Sequence, residues 1–161
     1  MSALARRDAG LVAALGVVAI AFAAAIVSQH VYDIQPCPWC VLQRLNFAVI
    51  GLFALLGLVW RGPIGARVAA VVIGALAGCG VATALWQHFV AARSTSCALT
   101  FADRVMNATG FNERWPDLFM AYANCADAQP RLLGVPYEFF SLTLFVVVAA
   151  AAWLPWRSGA R

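Results

Sequence analysis

Cys37-Pro38-Trp39-Cys40 sets two thiols three positions apart, immediately before an apolar run over residues 41–60 that carries Arg44 near its start. A pair at this spacing can cycle between dithiol and disulfide, so the pattern reads as a redox centre at a membrane surface. Pro38 needs no amide donor and its φ is already helical, which suits it to the first position of a helix and puts Cys37 at the N-cap. Cys40 then lies one turn inside, with Arg44 at i+4 on the same face. The positive end of the helix dipole and a nearby guanidinium both favour a thiolate, so Cys40 is expected to be the activated sulfur. An arginine near a span end often snorkels to lipid headgroups. Beside a redox sulfur it has a second use, as a donor to the carbonyl of a lipid-soluble electron acceptor that gains charge on reduction.

Two further cysteines, Cys97 and Cys125, fall in the one long hydrophilic segment of the chain. The fifth, in Gly78-Cys79-Gly80, lies mid-way along an apolar run among small residues suited to close helix packing. It is expected to be a buried structural thiol.

The elements that must hold these thiols follow from composition. The 161 residues are 63% hydrophobic and 11% charged, with a mean hydropathy of +0.81, far from the ~25% charged residues of a soluble domain. Four apolar runs, roughly 11–28, 41–60, 68–90 and 137–156, are each about long enough to cross a hydrocarbon layer of ~30 Å at ~1.5 Å per residue. The expected fold is an all-α membrane protein, a four-transmembrane-helix bundle forming a single integral membrane domain over 1–161. Arg6 and Arg7 precede the first run as in a signal sequence, but the run exceeds the ~7–15 residues of a signal core and is read as a retained helix.

Orientation follows from the arginines, which supply all eleven positive charges. Residues 1–10, 61–67 and 157–161 hold Arg6, Arg7, Arg61, Arg67, Arg157 and Arg161 against one acid, Asp8, and are expected on the cytoplasmic side. Both termini are then cytoplasmic. The loops over 29–40 and 91–136, with Cys37, Cys40, Cys97 and Cys125, lie on the opposite side, where disulfides persist. Topology accounts for the net charge of +4, so it calls for no nucleic-acid partner. The second outer loop is long for a structureless connection. Its stretch Phe101 to Tyr122 mixes aromatic and charged residues and is expected to form a short amphipathic interfacial helix that keeps Cys97 and Cys125 near the bilayer.

Gln35-Pro36-Cys37-Pro38-Trp39-Cys40 leading to Arg44, four spans, and a long second outer loop with two cysteines resemble the DsbB family of bacterial disulfide-generating quinone reductases. The resemblance covers roughly residues 10–156 and extends to Asn124-Cys125-Ala126-Asp127-Ala128-Gln129. It implies a multi-pass protein of the bacterial inner membrane with periplasmic active cysteines. It further implies a DsbA-like periplasmic thiol oxidoreductase as partner and a quinone, ubiquinone or menaquinone, from the membrane pool as acceptor. The catalytic residues so implied are Cys37, Cys40, Cys97 and Cys125, with Arg44 and His88 near the quinone and no metal. Four cysteines allow three pairings; the resemblance implies Cys37–Cys40 with Cys97–Cys125, and Cys37–Cys125 in a trapped intermediate. Pro130 and the short spacing from His88 to Cys97 depart from the family pattern.

Three other readings compete. A relative of the vitamin K epoxide reductases would also have four spans and two cysteine pairs, but its CxxC belongs at the last span, the reverse of the order here. A four-thiolate zinc site would want close spacing in the second pair, which is lacking. The remaining alternative is a structural four-span protein stapled by disulfides.

Overall fold

The computed structural model describes residues 3–60, 63–93, 99–126, 131–132 and 134–157. Four long helices dominate: α1 (Ala3–His30), α2 (Pro38–Val59), α3 (Pro63–Phe89) and, last in the chain, α7 (Glu138–Arg157). Stretches Asp8–His30, Pro38–Val59 and Ile64–Arg93 are long and apolar enough to cross a membrane, and Glu138–Trp153 is a shorter apolar helix. Helices suit these sequences because in hydrocarbon a backbone must satisfy its own hydrogen bonds. α1 and α3 each pack against both α2 and α7, which closes a four-sided bundle.

Small side chains let the helices approach. Ala14, Ala21, Ala54, Ala66, Ala69 and Ala77 are buried in one core with Leu11, Ile50 and Ile73, and Phe47 of α2 stacks flat on Phe145 of α7, centroids 4.0 Å apart. Gly80 of α3 is where that stack leaves no room. A Cβ there would overlap the ring of Phe145 at Cδ1 and Cε1, and Phe145 cannot withdraw without losing Phe47. Gly80→Ala is therefore expected to cost about 1–3 kcal/mol, the usual penalty of overpacking. Thermal unfolding in detergent checks this. Gly78→Ala is the control, since a Cβ at Gly78 meets nothing within 4 Å. A Gly80→Ala protein as stable as the control would overturn the packing argument.

Cys79 corrects the sequence expectation. Its thiol is exposed on the outer face of the bundle, not buried. The small-residue triplet does serve close packing, but through Gly80; the adjacent position on a helix points about 100° away, given 3.6 residues per turn.

Between α3 and α7 the chain forms a cap on one end of the bundle. A short 3₁₀ turn, Ala91–Arg93, ends α3; then come α4 (Phe101–Thr109), α5 (Phe111–Arg114) and α6 (Pro116–Phe119). Phe101 to Tyr122 is thus three short helices instead of one. Gly110, at φ 68°, closes α4, and Pro116 starts α6 where its missing N–H costs nothing. A Thr100–Asp103 capping box opens α4, whose Ala102 and Met106 turn inward while Phe101 stays exposed. A small hairpin follows, β1 (Arg131–Leu132) antiparallel to β2 (Val135–Pro136). α4 and α6 both rest on α2, so the cap covers the end of the bundle where the CxxC lies.

Candidate functional site: a thiol pair over an apolar cavity

Local structure at the CxxC matches the spacing argument. Cys37 is the N-cap of α2, with extended backbone at φ −86° and ψ 166°, and Pro38 is in the first turn. The Cys40 amide donates to Cys37 Sγ at 3.4 Å, and the two sulfurs stand 2.8 Å apart as free thiols. Cys37 is fully buried; Cys40 is half-buried.

The cap brings a third sulfur to this pair. Amides of Tyr122 and Ala123 donate to Pro36 O at 3.0 and 3.3 Å, which docks the loop one residue before Cys37. Cys125 is thereby buried in a cluster with Cys37, Trp39, Ala91 and Ala102. Trp86 and Phe101 lie against Trp39 with ring centroids 6.3 and 6.4 Å away. Burial, reinforced by hydrogen bonds with Cys125 and Cys40, pushes the Cys37 thiol well above the ordinary thiol range. Cys37 is the middle sulfur of three, and as a buried, protonated thiol it is a poor nucleophile. Cys97 lies outside the described residues, as does 127–130, where the resemblance around Cys125 continues.

On the other side of Cys40 is a cavity of about 250 Å³ between α1, α2, α3 and α7, walled by Ala25, Cys40, Arg44, Phe47, Gln87 and Leu144 among others. Arg44 does not reach outward. It is buried, and its guanidinium donates to Gln29 Oε1 (2.8 Å), Leu118 O (3.1 Å) and Ala25 O (3.4 Å), tying α2 to α1 and to the cap. His88, in the last turn of α3, stands behind the wall of the cavity. Its Nδ1 is 2.6 Å from Glu138 Oε1, and the buried Glu138 is the partner that faces the cavity.

Sequence reasoning missed Gln43, Gln87, Glu138 and Ser141. Gln43 and Gln87 are almost fully buried, and all four line the cavity. A signal was present, because polar side chains inside apolar spans are expensive and tend to mark sites. Gln43 precedes Arg44 and Gln87 precedes His88, yet attention to charge and sulfur passed over neutral amides. The donor set suits a quinone: a mostly apolar slot, aromatic and aliphatic walls, and a buried cation beside a thiol.

Fold and site together define an integral membrane thiol-redox protein, with the dithiol capping one helix above a cavity in the bundle. The chain belongs to the family of the disulfide bond formation protein DsbB, which matches residues 6–155. Among curated relatives it is 32% identical over 130 residues to disulfide bond formation protein B of Herminiimonas arsenicoxydans, covering 79% of this chain and 80% of that one. The corresponding protein of Ralstonia nicotianae is 31% identical, with 78% of each chain covered. Disulfide bond formation protein B 1 of Burkholderia lata is also 31% identical, over 91% of this chain and 87% of its own. No solved structure matches. Family membership supports oxidoreductase activity in disulfide chemistry linked to a quinone, and with the long apolar helices it supports a multi-pass protein of the inner membrane.

Proposed function

We propose that the protein oxidises a periplasmic DsbA-like dithiol protein and passes the electrons through two cysteine pairs to membrane ubiquinone or menaquinone. α1, α2, α3 and α7 are the four spans, with both termini cytoplasmic and the cap periplasmic. A partner thiolate attacks Cys97 of a Cys97–Cys125 disulfide; the mixed disulfide forms and Cys125 leaves as a thiolate. Cys125 attacks Cys37, the Cys37–Cys40 bond breaks, and its electron pair remains on Cys40. Arg44 faces that charge and would donate to a carbonyl of the acceptor, Phe47 and Leu144 would help to hold it in the apolar cavity, and the cap excludes water. The partner's second thiolate then displaces Cys97 and leaves the partner as a disulfide; Cys97 attacks Cys125, restoring Cys97–Cys125 and releasing Cys37 as a thiolate. A bound quinone would supply the two-electron acceptor that lets the Cys37–Cys40 disulfide form again.

The acceptor is required on energetic grounds. A DsbA-type dithiol sits at about −120 mV, so a protein disulfide near about −180 mV could oxidise it only uphill, by roughly 2.8 kcal/mol for two electrons. Thiol exchange alone would run backwards.

The observation that carries this reading is the order of groups: Cys125 against Cys37, Cys37 against Cys40, and Cys40 on a cavity that also holds Arg44. The test is the absorbance of a soluble quinone analogue on mixing purified protein in detergent with a reduced DsbA-type protein, run beside Cys97→Ala. Quinone loss by the parent and none by the variant is expected. No loss by an intact protein with accessible thiols would sink the proposal in favour of a structural or metal-binding role.

A further inference from the structure

A glutamine side chain offers two donors and one carbonyl, and burying it in a helical bundle is unfavourable unless those groups find partners. Gln43 of α2 and Gln87 of α3, each 4% exposed, solve this with each other. Gln43 Nε2 donates to Gln87 Oε1 at 2.8 Å. With its carbonyl so engaged, Gln87 turns its Nε2 to Cys40 Sγ at 3.2 Å. At the far end Ser141 Oγ of α7 donates to Gln43 Oε1 at 2.5 Å, which fixes the orientation of Gln43. Three helices thus supply a continuous line, Ser141 to Gln43 to Gln87 to Cys40, in which every link donates toward the sulfur.

We propose that Gln87 is a catalytic residue whose amide N–H donates a hydrogen bond to the thiolate that forms on Cys40, and that Gln43 and Ser141 are positioning residues that keep that N–H aimed. The inference rests on the relay proposed above, and adds to it. When Cys125 attacks Cys37, a Cys37–Cys125 bond forms, the Cys37–Cys40 bond breaks, and the charge appears on Cys40 with no proton moved. A hydrogen bond to an ionised group is stronger than one between neutral groups, so the Gln87 contact tightens as the charge develops, a differential interaction of the kind that accelerates a step. Apart from Cys40 itself the line contains no ionisable side chain. Arg44 supplies charge on the same face of α2, and the line supplies direction without adding a second charge to the cavity. The titratable groups near Cys40 are Cys37 at the N-cap of α2 and Arg44 within it, Cys125 of the cap in the cluster around Cys37, Tyr32, Tyr137 and Glu138 lining the cavity, and His88 behind Glu138.

Alkylation of Cys40 tests this without quinone or partner. In the full-length protein in detergent, with the other four cysteines replaced by serine, Cys40 is the sole thiol, and Ser at position 37 still serves as an N-cap. Its rate of reaction with iodoacetamide is measured near pH 7 and near pH 10. Gln87→Leu is expected to slow the reaction about tenfold near pH 7 and to converge on the parent near pH 10, where the thiol ionises without help. Gln87→Glu, of the same shape but with an acceptor in place of the donor, is expected to be at least as slow near pH 7. Ser141→Ala should give a smaller loss, about threefold. Rates near pH 7 that match the parent in Gln87→Glu and Ser141→Ala would overturn the proposal, whether or not Gln87→Leu folds. Equal slowing at both pH values would also overturn it, by showing loss of access. Because no quinone enters the assay, these outcomes are distinct from a failure of the relay, which the Cys97-dependent quinone assay reads.

Discussion

Cys40→Ser abolishes quinone reduction, by about 10³-fold or more, while Cys97 and Cys125 remain able to form a disulfide. Serine fills nearly the same volume at the start of α2, so the helix and its cap survive. What is lost is the sulfur. A hydroxyl forms no disulfide with Cys37 and holds no charge near neutral pH, so electrons that reach Cys37 have no exit toward the cavity. A nucleophile deletion of this kind removes a step instead of slowing it. Two readouts on one sample settle the matter: quinone absorbance on mixing with a reduced DsbA-type dithiol, and mass spectrometry of alkylated peptides for the Cys97 and Cys125 thiols. Sustained quinone reduction by this variant would contradict the assigned order of sulfurs, since Cys40 is the one placed on the cavity beside Arg44.

The second large effect is expected at Arg44. Its guanidinium is shared between Gln29, Leu118 and Ala25 at 2.8, 3.1 and 3.4 Å, so the residue both braces α1 and the cap and holds positive charge on the cavity. Arg44→Met removes both. Leaving buried acceptors without a donor costs about 1–3 kcal/mol, which thermal unfolding in detergent would register. Loss of a charge-assisted donor to the acceptor carbonyl, at about 1.5–3 kcal/mol, should raise KM for a soluble quinone about 10- to 100-fold. Arg44→Lys keeps the charge but cannot span three acceptors with a planar fork, so it should restore part of the quinone affinity and little of the stability. The two readouts separate the roles. An Arg44→Met protein that is less stable yet has an unchanged KM would reduce Arg44 to a brace.

Much of this site was legible in the order of residues along the chain. Cys37, Pro38 and Cys40 specify their own geometry because a proline at the head of a helix and an N-cap are set by neighbours in the chain, and the structure bears out that local reading. Apolar runs long enough to cross a bilayer declared helices for the same reason, since hydrocarbon leaves the backbone few alternatives. Cys79 shows the limit. Small neighbours announced close packing, but which of Gly78, Cys79 and Gly80 met the partner depended on the rotation of α3 against α7. The loop shows another. Its mixed polarity was visible, but its division at Gly110 and Pro116, and the anchoring of Tyr122 and Ala123 to Pro36, were not.

The sequence by itself determined the membrane class, the helix that begins at the CxxC, and the thiol chemistry at its head. All of these rest on residues within a turn or a span of one another, where spacing and composition carry the information. Tertiary structure decided what lies around Cys40. Gln87 is 47 positions away and Ser141 is 98 positions from Gln43, and Cys125 comes to Cys37 from the far end of the cap. Neutral amides and hydroxyls have no periodic pattern to announce a partner. Their pairing is fixed by how four helices rotate to bury their alanine and phenylalanine faces, and that rotation is settled by packing across the bundle, which no local stretch of chain encodes.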